Sequence, residues 1–460
     1  MKRTSTSLIA LGLVSVLAVA CAQEASGDLA LTGGDGPSAP QVSDDPAAVA
    51  QRAVDDVTDF WHDTYPEVYG EEFQDLAGFY PYGPETEMPP CGPFELAYDE
   101  IADNAFYCPD DDIIAWDEGT LMPELNEEFG AFTVAIVIAH EYGHAAQARF
   151  GTPDRTVDLE LQADCFAGAW TQRVASGEAE GFGPGDVDLD KTVAGMISIR
   201  DVPGTDPNEA MAHGSGFDRV GAFQDGYENG ADKCAEYADP GVDRRTAELE
   251  FDDSEQQTGG NFPLYDEEAP NGEGLFTLVE RDLNAFYDAV FQEMGDDFTP
   301  VDDLVLVDPA TDEVDCGGET SSGDALEYAA IYCEDENVVV LDEARLVPAL
   351  NDIGDFAVVS EVAQLWARAV QSQLGVADAS DADLQADCLT GAYAAWTYPV
   401  DGVAASPDLT MSGGDLDEGL MAFLAYGTQG DGASVFERTD AVRTGFFDSY
   451  DACEEYGPLG

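Results

Sequence analysis

The pattern of apolar and polar positions is organised around Ala131 to Gly151, which reads AFTVAIVIAHEYGHAAQARFG. An apolar run from Phe132 to Ala139 passes into small and polar residues. No cluster of turn formers interrupts it before Gly151-Thr152-Pro153-Asp154. A run of this length predicts one helix over the whole stretch. Small and apolar residues at Leu161, Ala163, Phe166, Ala167, Ala169 and Trp170 predict a second helix packed on the first. Upstream, the sequence predicts an initial helix over Ala53 to Tyr65 and a loop holding Cys91. A strand over Asp112 to Trp116 follows, apolar and rich in β-branched residues.

The same order recurs downstream. Gly130 to Gly151 aligns without a gap on GDFAVVSEVAQLWARAVQSQLG, Gly354 to Gly375. AFYCPDDDIIAWD returns as AIYCEDENVVVLD (Ala330 to Asp342), and ELQADC (Glu160 to Cys165) as DLQADC (Asp383 to Cys388). FDRVGAFQDGYENGADKC (Phe217 to Cys234) returns as FERTDAVRTGFFDSYDAC (Phe436 to Cys453). The spacing is far too long for a solenoid unit, so the sequence predicts a duplicated whole domain. The second copy would begin with a helix over Leu275 to Phe291 and hold a strand over Asn337 to Leu341. Residues 53–237 and 275–460 are the expected domains, joined by an acidic linker at 238–274. Each is expected to be an α+β fold with a helix-dominated core.

Candidate chemistry sits on the central helix. His140-Glu141-Tyr142-Gly143-His144 is an H-E-x-x-H pattern in a chain with only four histidines. Four residues apart on a helix, His140 and His144 share a face and can both reach one zinc ion, while Glu141 can serve as general base for a water. A third protein ligand is then required. Glu160 supplies it, with Asp164 on the same helical face as hydrogen-bond acceptor behind a ligand imidazole.

Four segments carry a family resemblance: YCPDDDIIAWD (Tyr107 to Asp117), IAHEYGHAAQ, ELQADCFAGAW (Glu160 to Trp170) and HGSGFDR (His213 to Arg219). Over roughly Val54 to Tyr237 the chain resembles the neutral zinc metallopeptidases, bacterial envelope proteins with a thermolysin-like ligand set. The resemblance implies a zincin domain with Zn2+ on His140, His144 and Glu160, Glu141 as catalytic base, and peptidase activity. It also implies that the strand Ile113 to Asp117 lines the cleft and pairs with an extended substrate. His213 lies in the downstream motif and is a candidate donor to the oxyanion of the reaction; a plain structural bond is the other reading.

Composition adds an expected address. Lys2 and Arg3, an apolar core from Leu8 and small residues before Cys21 read as an export signal over 1–20. Ala18-Val19-Ala20-Cys21 resembles a bacterial lipobox, which makes Cys21 a lipidation site and 21–52 an anchor and flexible tether. Ala18 stands where Leu is usual, so cleavage and secretion is the alternative. The other eight of nine cysteines pair economically as Cys91–Cys108, Cys165–Cys234, Cys316–Cys333 and Cys388–Cys453. Against 95 Asp and Glu there are 17 Lys and Arg, a formal charge of −78. Such a surface excludes nucleic acid as a partner, and membrane except through the lipid anchor.

The second copy keeps packing residues and loses the chemistry. Gln364, Leu365 and Arg368 replace His140, Glu141 and His144, and Glu160 falls opposite Asp383 or Leu384. The sequence therefore predicts an exported, envelope-located zinc peptidase acting on peptides or proteins. A non-catalytic envelope binding or assembly protein that keeps a structural zinc helix is the alternative.

Overall fold

The Asp45 carboxylate accepts the Ala47 N–H at 3.3 Å and, with Pro46 in the first turn, starts helix α1, Pro46–Tyr69. The computed structural model describes residues 45–459, apart from 94–95, 152, 154, 207–211, 240–245, 248, 252–254, 256–258, 378–380, 401 and 427–431. The export segment, Cys21 and parts of the expected linker lie outside the described residues. The first helix starts at Pro46 and not at Ala53. Val49 and Ala50 are fully buried, so a stretch whose Pro, Ala and Asp content reads as tether is part of the core.

Three short strands follow, β1 (Gly78–Tyr82), β2 (Ala105–Cys108) and β3 (Ile113–Asp117), with the short helix α2 (Tyr98–Ile101) ahead of β2. The sheet order is β1-β3-β2, with β1 parallel and β2 antiparallel to β3. This corrects the expected role of Ile113 to Asp117. All five of its residues are buried, and both edges are already paired. A strand covered on both faces reads as a continuous apolar run, whereas a half-exposed strand alternates. The outer strands are β1 and β2, and β2 packs against the helix that carries His140 and His144.

Helices then dominate: α3 (Leu121–Phe129), α4 (Ala131–Phe150), α5 (Thr156–Ala175), α6 (Leu189–Ser198), α7 (Gly216–Asn229) and α8 (Ala231–Ala235). Helix α4 is buried along almost its whole length and stops at Gly151, whose φ of 117° suits glycine. Two glycines set the close crossings. A Cβ on Gly143 would lie 2.8 Å from the Ala163 backbone, and one on Gly226 would lie 1.7 Å from the Cys165 carbonyl oxygen. Their absence lets α5 press against α4 on one side and α7 on the other.

Residues beyond 275 form α9 (Leu275–Met294), strands β4 (Asp303–Val307), β5 (Glu313–Cys316), β6 (Glu319–Ser322), β7 (Ala330–Cys333) and β8 (Val338–Asp342), then α10 (Leu346–Asn351), α11 (Asp355–Leu374), α12 (Ala382–Thr397), α13 (Asp415–Tyr426) and α14 (Val435–Asp448). Here β8 is the central strand, parallel to β4 and antiparallel to β7, and β5 and β6 form an added hairpin. Disulfides join Cys91 to Cys108, Cys165 to Cys234, Cys316 to Cys333 and Cys388 to Cys453.

One apolar core runs through both halves, from Val49 to Leu459. Polar contacts stitch the seam. Asp417 accepts the Gly216 and Phe217 N–H groups at 3.1 and 2.8 Å and pairs with Arg200. Arg443 donates to the Phe217 carbonyl, and Gln224 to that of Phe436. Among the described residues no helix is long and apolar enough to cross a membrane.

Candidate metal centre

Helix α4 carries His140 and His144 one turn apart, and the close α4–α5 crossing at Gly143 sets Glu160 opposite them. The two Nε2 atoms are 3.1 Å apart, Glu160 Oε2 is 3.2 Å from His140 Nε2, and Glu160 Oε1 is 3.5 Å from His144 Nε2. Zinc bonds of 2.0–2.2 Å in a tetrahedron put neighbouring ligand atoms about 3.3 Å apart. The 3.1 Å separation of the imidazole nitrogens is close to that edge length, and the Glu160 carboxylate turns one oxygen towards each imidazole.

The outer hydrogen bonds fix which imidazole nitrogens face inward. His140 Nδ1 lies 2.7 Å from Asp164 Oδ1, and His144 Nδ1 lies 2.8 Å from Gln147 Oε1. The Gln147 amide is itself oriented, because its Nε2 donates to the Leu159 carbonyl and to Gln162 Oε1. Both Nδ1 atoms therefore donate, which leaves two Nε2 lone pairs facing each other beside a carboxylate. Three acceptors turned on one point require a cation.

The protonation of the metal-free centre expresses the same demand. Burial works against a charged His140, but Asp164 and Glu160 outweigh it and push its pKa up to about 10. Burial likewise opposes a charged Glu160, yet His144 and His140 hold it well below the ordinary value. Asp164 is also held low against burial by the Arg219 guanidinium and His140. Arg219 donates Nε and Nη2 to Asp164 at 2.8 and 3.0 Å and Nη1 to the Ile199 carbonyl. Glu141 behaves differently: burial raises its pKa, opposed by the two histidines, and the Tyr107 backbone on β2 hydrogen-bonds its carboxylate.

Among the described residues the donor set is His140, His144 and Glu160, with no fourth side chain joining it. Their side chains keep 11, 14 and 13% exposure, so solvent reaches the centre. Three protein ligands with one open position is the arrangement of hydrolytic zinc sites, whereas structural sites close with four.

His213 falls in the loop before α7. Its Nδ1 lies 3.2 Å from Asp201 Oδ1, and Asp201 also accepts the His213 and Gly214 N–H groups. That is the structural bond of the second reading, and it secures the loop that leads into α7. His62 pairs with Asp75 on the surface. Gln147 and Arg219 escape a search for ligand types, since neither is one. The signal for both is their recurrence as Gln371 and Arg438 in the aligned segments.

In the segment of the second half that aligns in sequence, the side chains pair among themselves. Gln364 donates to Asp387, Arg368 pairs with Asp383 and Gln371, and Arg438 donates to Asp387 at 2.7 and 2.8 Å. The carboxylate of Asp383 is thus paired with the Arg368 guanidinium. Removing the outer carboxylate from the first centre tests its grip: Asp164→Asn is expected to weaken zinc binding about 10–100-fold in competition with a chelator.

A family profile described as "Putative neutral zinc metallopeptidase" matches residues 7–237. Uncharacterized proteins of Mycobacterium bovis and Mycobacterium tuberculosis are each 30% identical over 166 residues, 30% of this chain and 55% of theirs. The uncharacterized protein YpfJ of Escherichia coli is 27% identical over 150 residues, 27% of this chain and 50% of its own. The chain thus spans about half the length of the curated relatives it matches. No solved structure matches it.

Proposed function

Since the chain belongs to the neutral zinc metallopeptidase family, we propose that it hydrolyses peptide bonds with one zinc ion held by His140, His144 and Glu160. The observation that carries this reading is the convergence of three acceptor groups, His140, His144 and Glu160, within reach of one ion and beside the buried carboxylate of Glu141. Zinc, when bound, supplies a Lewis acid that polarises a carbonyl and acidifies water. Glu141 accepts the proton of the attacking water on its carboxylate and delivers it to the leaving amine nitrogen. Burial favours that work by raising its basicity towards neutrality. Asp164 and Gln147 hold the two imidazoles in register, and Arg219 neutralises Asp164. The outer strand β2, whose Tyr107 backbone hydrogen-bonds Glu141, offers a backbone edge on which an extended peptide can align.

Residues 275–460 are, in this reading, a degenerate copy that keeps the packing. Its recurring strand order and the Gln364–Asp387 and Arg368–Asp383 contacts support that view. Its work is to cover the first domain and to secure the start of α7 through Asp417.

Incubating the zinc-loaded chain with a diverse peptide pool tests the activity. New peptide termini that disappear on chelation are expected, and a pool left intact at all pH values between 5 and 9 would rule the activity out.

A further inference from the structure

A second carboxylate cluster lies at the N-terminal ends of α11 and α13. Asp355 opens α11, and Asp415 and Glu418 occupy the first turn of α13. One oxygen from each lies within 4.8 Å of the others, and the three residues are 4, 6 and 7% exposed. Donors satisfy part of the set. Asp355 Oδ2 accepts the Phe262 N–H at 2.7 Å, Glu418 Oε2 accepts the Phe356 N–H at 2.9 Å, and Asp415 accepts the Ser412 N–H and hydroxyl at 2.8 and 2.6 Å. Asp355 Oδ1, fully enclosed, has no hydrogen-bond partner. A buried carboxylate oxygen without a donor is costly and calls for an absent counterpart.

No lysine or arginine among the described residues pairs with these carboxylates, and the further charge that acts on Asp415 is another acid, Glu255. The first half differs here. Ala131 aligns with Asp355, and the side chain of Lys191 lies beside Gly130 where Glu418 lies beside Gly354. The Lys191 ammonium itself pairs with Asp188 at 3.6 Å, and the second half carries three acids at this point. Burial raises Asp355 to about 6, and burial with mutual repulsion raises Glu418 to about 9 and Asp415 far above its usual range, so Asp415 and Glu418 hold protons at neutral pH when no cation is near.

We propose that Asp355, Asp415 and Glu418 form a binding site for a hard divalent cation, Ca2+, separate from the zinc centre. Ca2+ accepts carboxylate oxygens at 2.3–2.6 Å in a flexible shell, so its ligands stand at most about 5 Å apart, and the cluster fits within that reach. Mg2+ demands a near-octahedral shell and keeps several waters, which an enclosed site drawn from separate segments supplies poorly. An ion here fastens three pieces of chain: the connection at Asn261 and Phe262, which hydrogen-bonds Asp355, and the starts of α11 and α13. Helix α13 also bears Asp417, which holds the N-terminus of α7.

The test uses the full chain, stripped of divalent ions, reloaded with zinc and titrated with CaCl2 by calorimetry and thermal melting. One Ca2+ per chain is expected, with a rise in Tm of about 3 °C at a hundredfold excess over Kd. His140→Ala/His144→Ala should keep this response, which separates the site from the zinc centre. Asp415→Asn/Glu418→Gln keeps shape and removes charge, so it should be at least as stable without Ca2+ and no longer respond to it. Should that pair fail to fold, Asp355→Asn serves, with an expected loss in Ca2+ affinity of at least about tenfold. A folded chain that takes up no Ca2+, or a response that survives these substitutions, overturns the proposal.

Discussion

Glu141→Gln is expected to lower peptide hydrolysis by about 10²–10⁴-fold and to leave zinc content unchanged. Gln keeps the size of the side chain and its place beside Tyr107 but cannot take up a proton. The carboxylate is 6% exposed and contributes no donor atom to the ligand set, so the metal should stay. The wild-type pH profile carries the same information. Burial raises the Glu141 pKa above the ordinary carboxylate value, and a base works only when unprotonated. Activity should therefore fall as pH drops through the pKa of Glu141 in the zinc-loaded chain, and Glu141→Gln should lose that limb. Parallel measurement of kcat and bound zinc checks both halves of the prediction. An unchanged kcat would remove Glu141 from the chemistry.

Arg219→Ala should cost about 3–5 kcal/mol of stability, because it leaves the Asp164 carboxylate buried without its main countercharge. The guanidinium is 3% exposed and makes both of its Asp164 contacts in the interior. Asp164 in turn holds His140, so zinc affinity should fall as well, by about 10–100-fold. Asp164, with its folded pKa depressed, contributes stability above its unfolded pKa and loses it as pH falls through the folded one. Arg438→Ala supplies the control. It breaks the corresponding pair with Asp387 and should cost comparable stability while leaving zinc binding unaltered. Denaturation curves with zinc titrations on the two variants separate these outcomes.

The metal centre was legible because helices turn sequence spacing into geometry. Residues 140 and 144 must share a face of a helix, as must 160 and 164, and a small-residue crossing is the only further requirement. Gly143 satisfies it, since a side chain there would meet the Ala163 backbone. Sheets offer no such local rule. Five-residue β1 contains Pro81 and alternates poorly, so its sequence carries no strand signal, and the pairing of β3 with strands on both sides depends on contacts distant in sequence. The unbroken apolar character of Ile113-Ile114-Ala115-Trp116 was the available sign of a central strand. At Pro46 a loop-like composition conceals a helix capped by Asp45. The reach of Asp417 across the seam to α7 left no sequence signal, for it joins residues two hundred positions apart.

Zinc content of the purified full chain and of its His140→Ala/His144→Ala variant tests the central claim most directly. One zinc per wild-type chain, absent from the variant and unaffected by Gln364→Ala, is the predicted result. Two zincs per chain, or one that survives loss of both histidines, would contradict the assignment of a single metal centre to His140, His144 and Glu160.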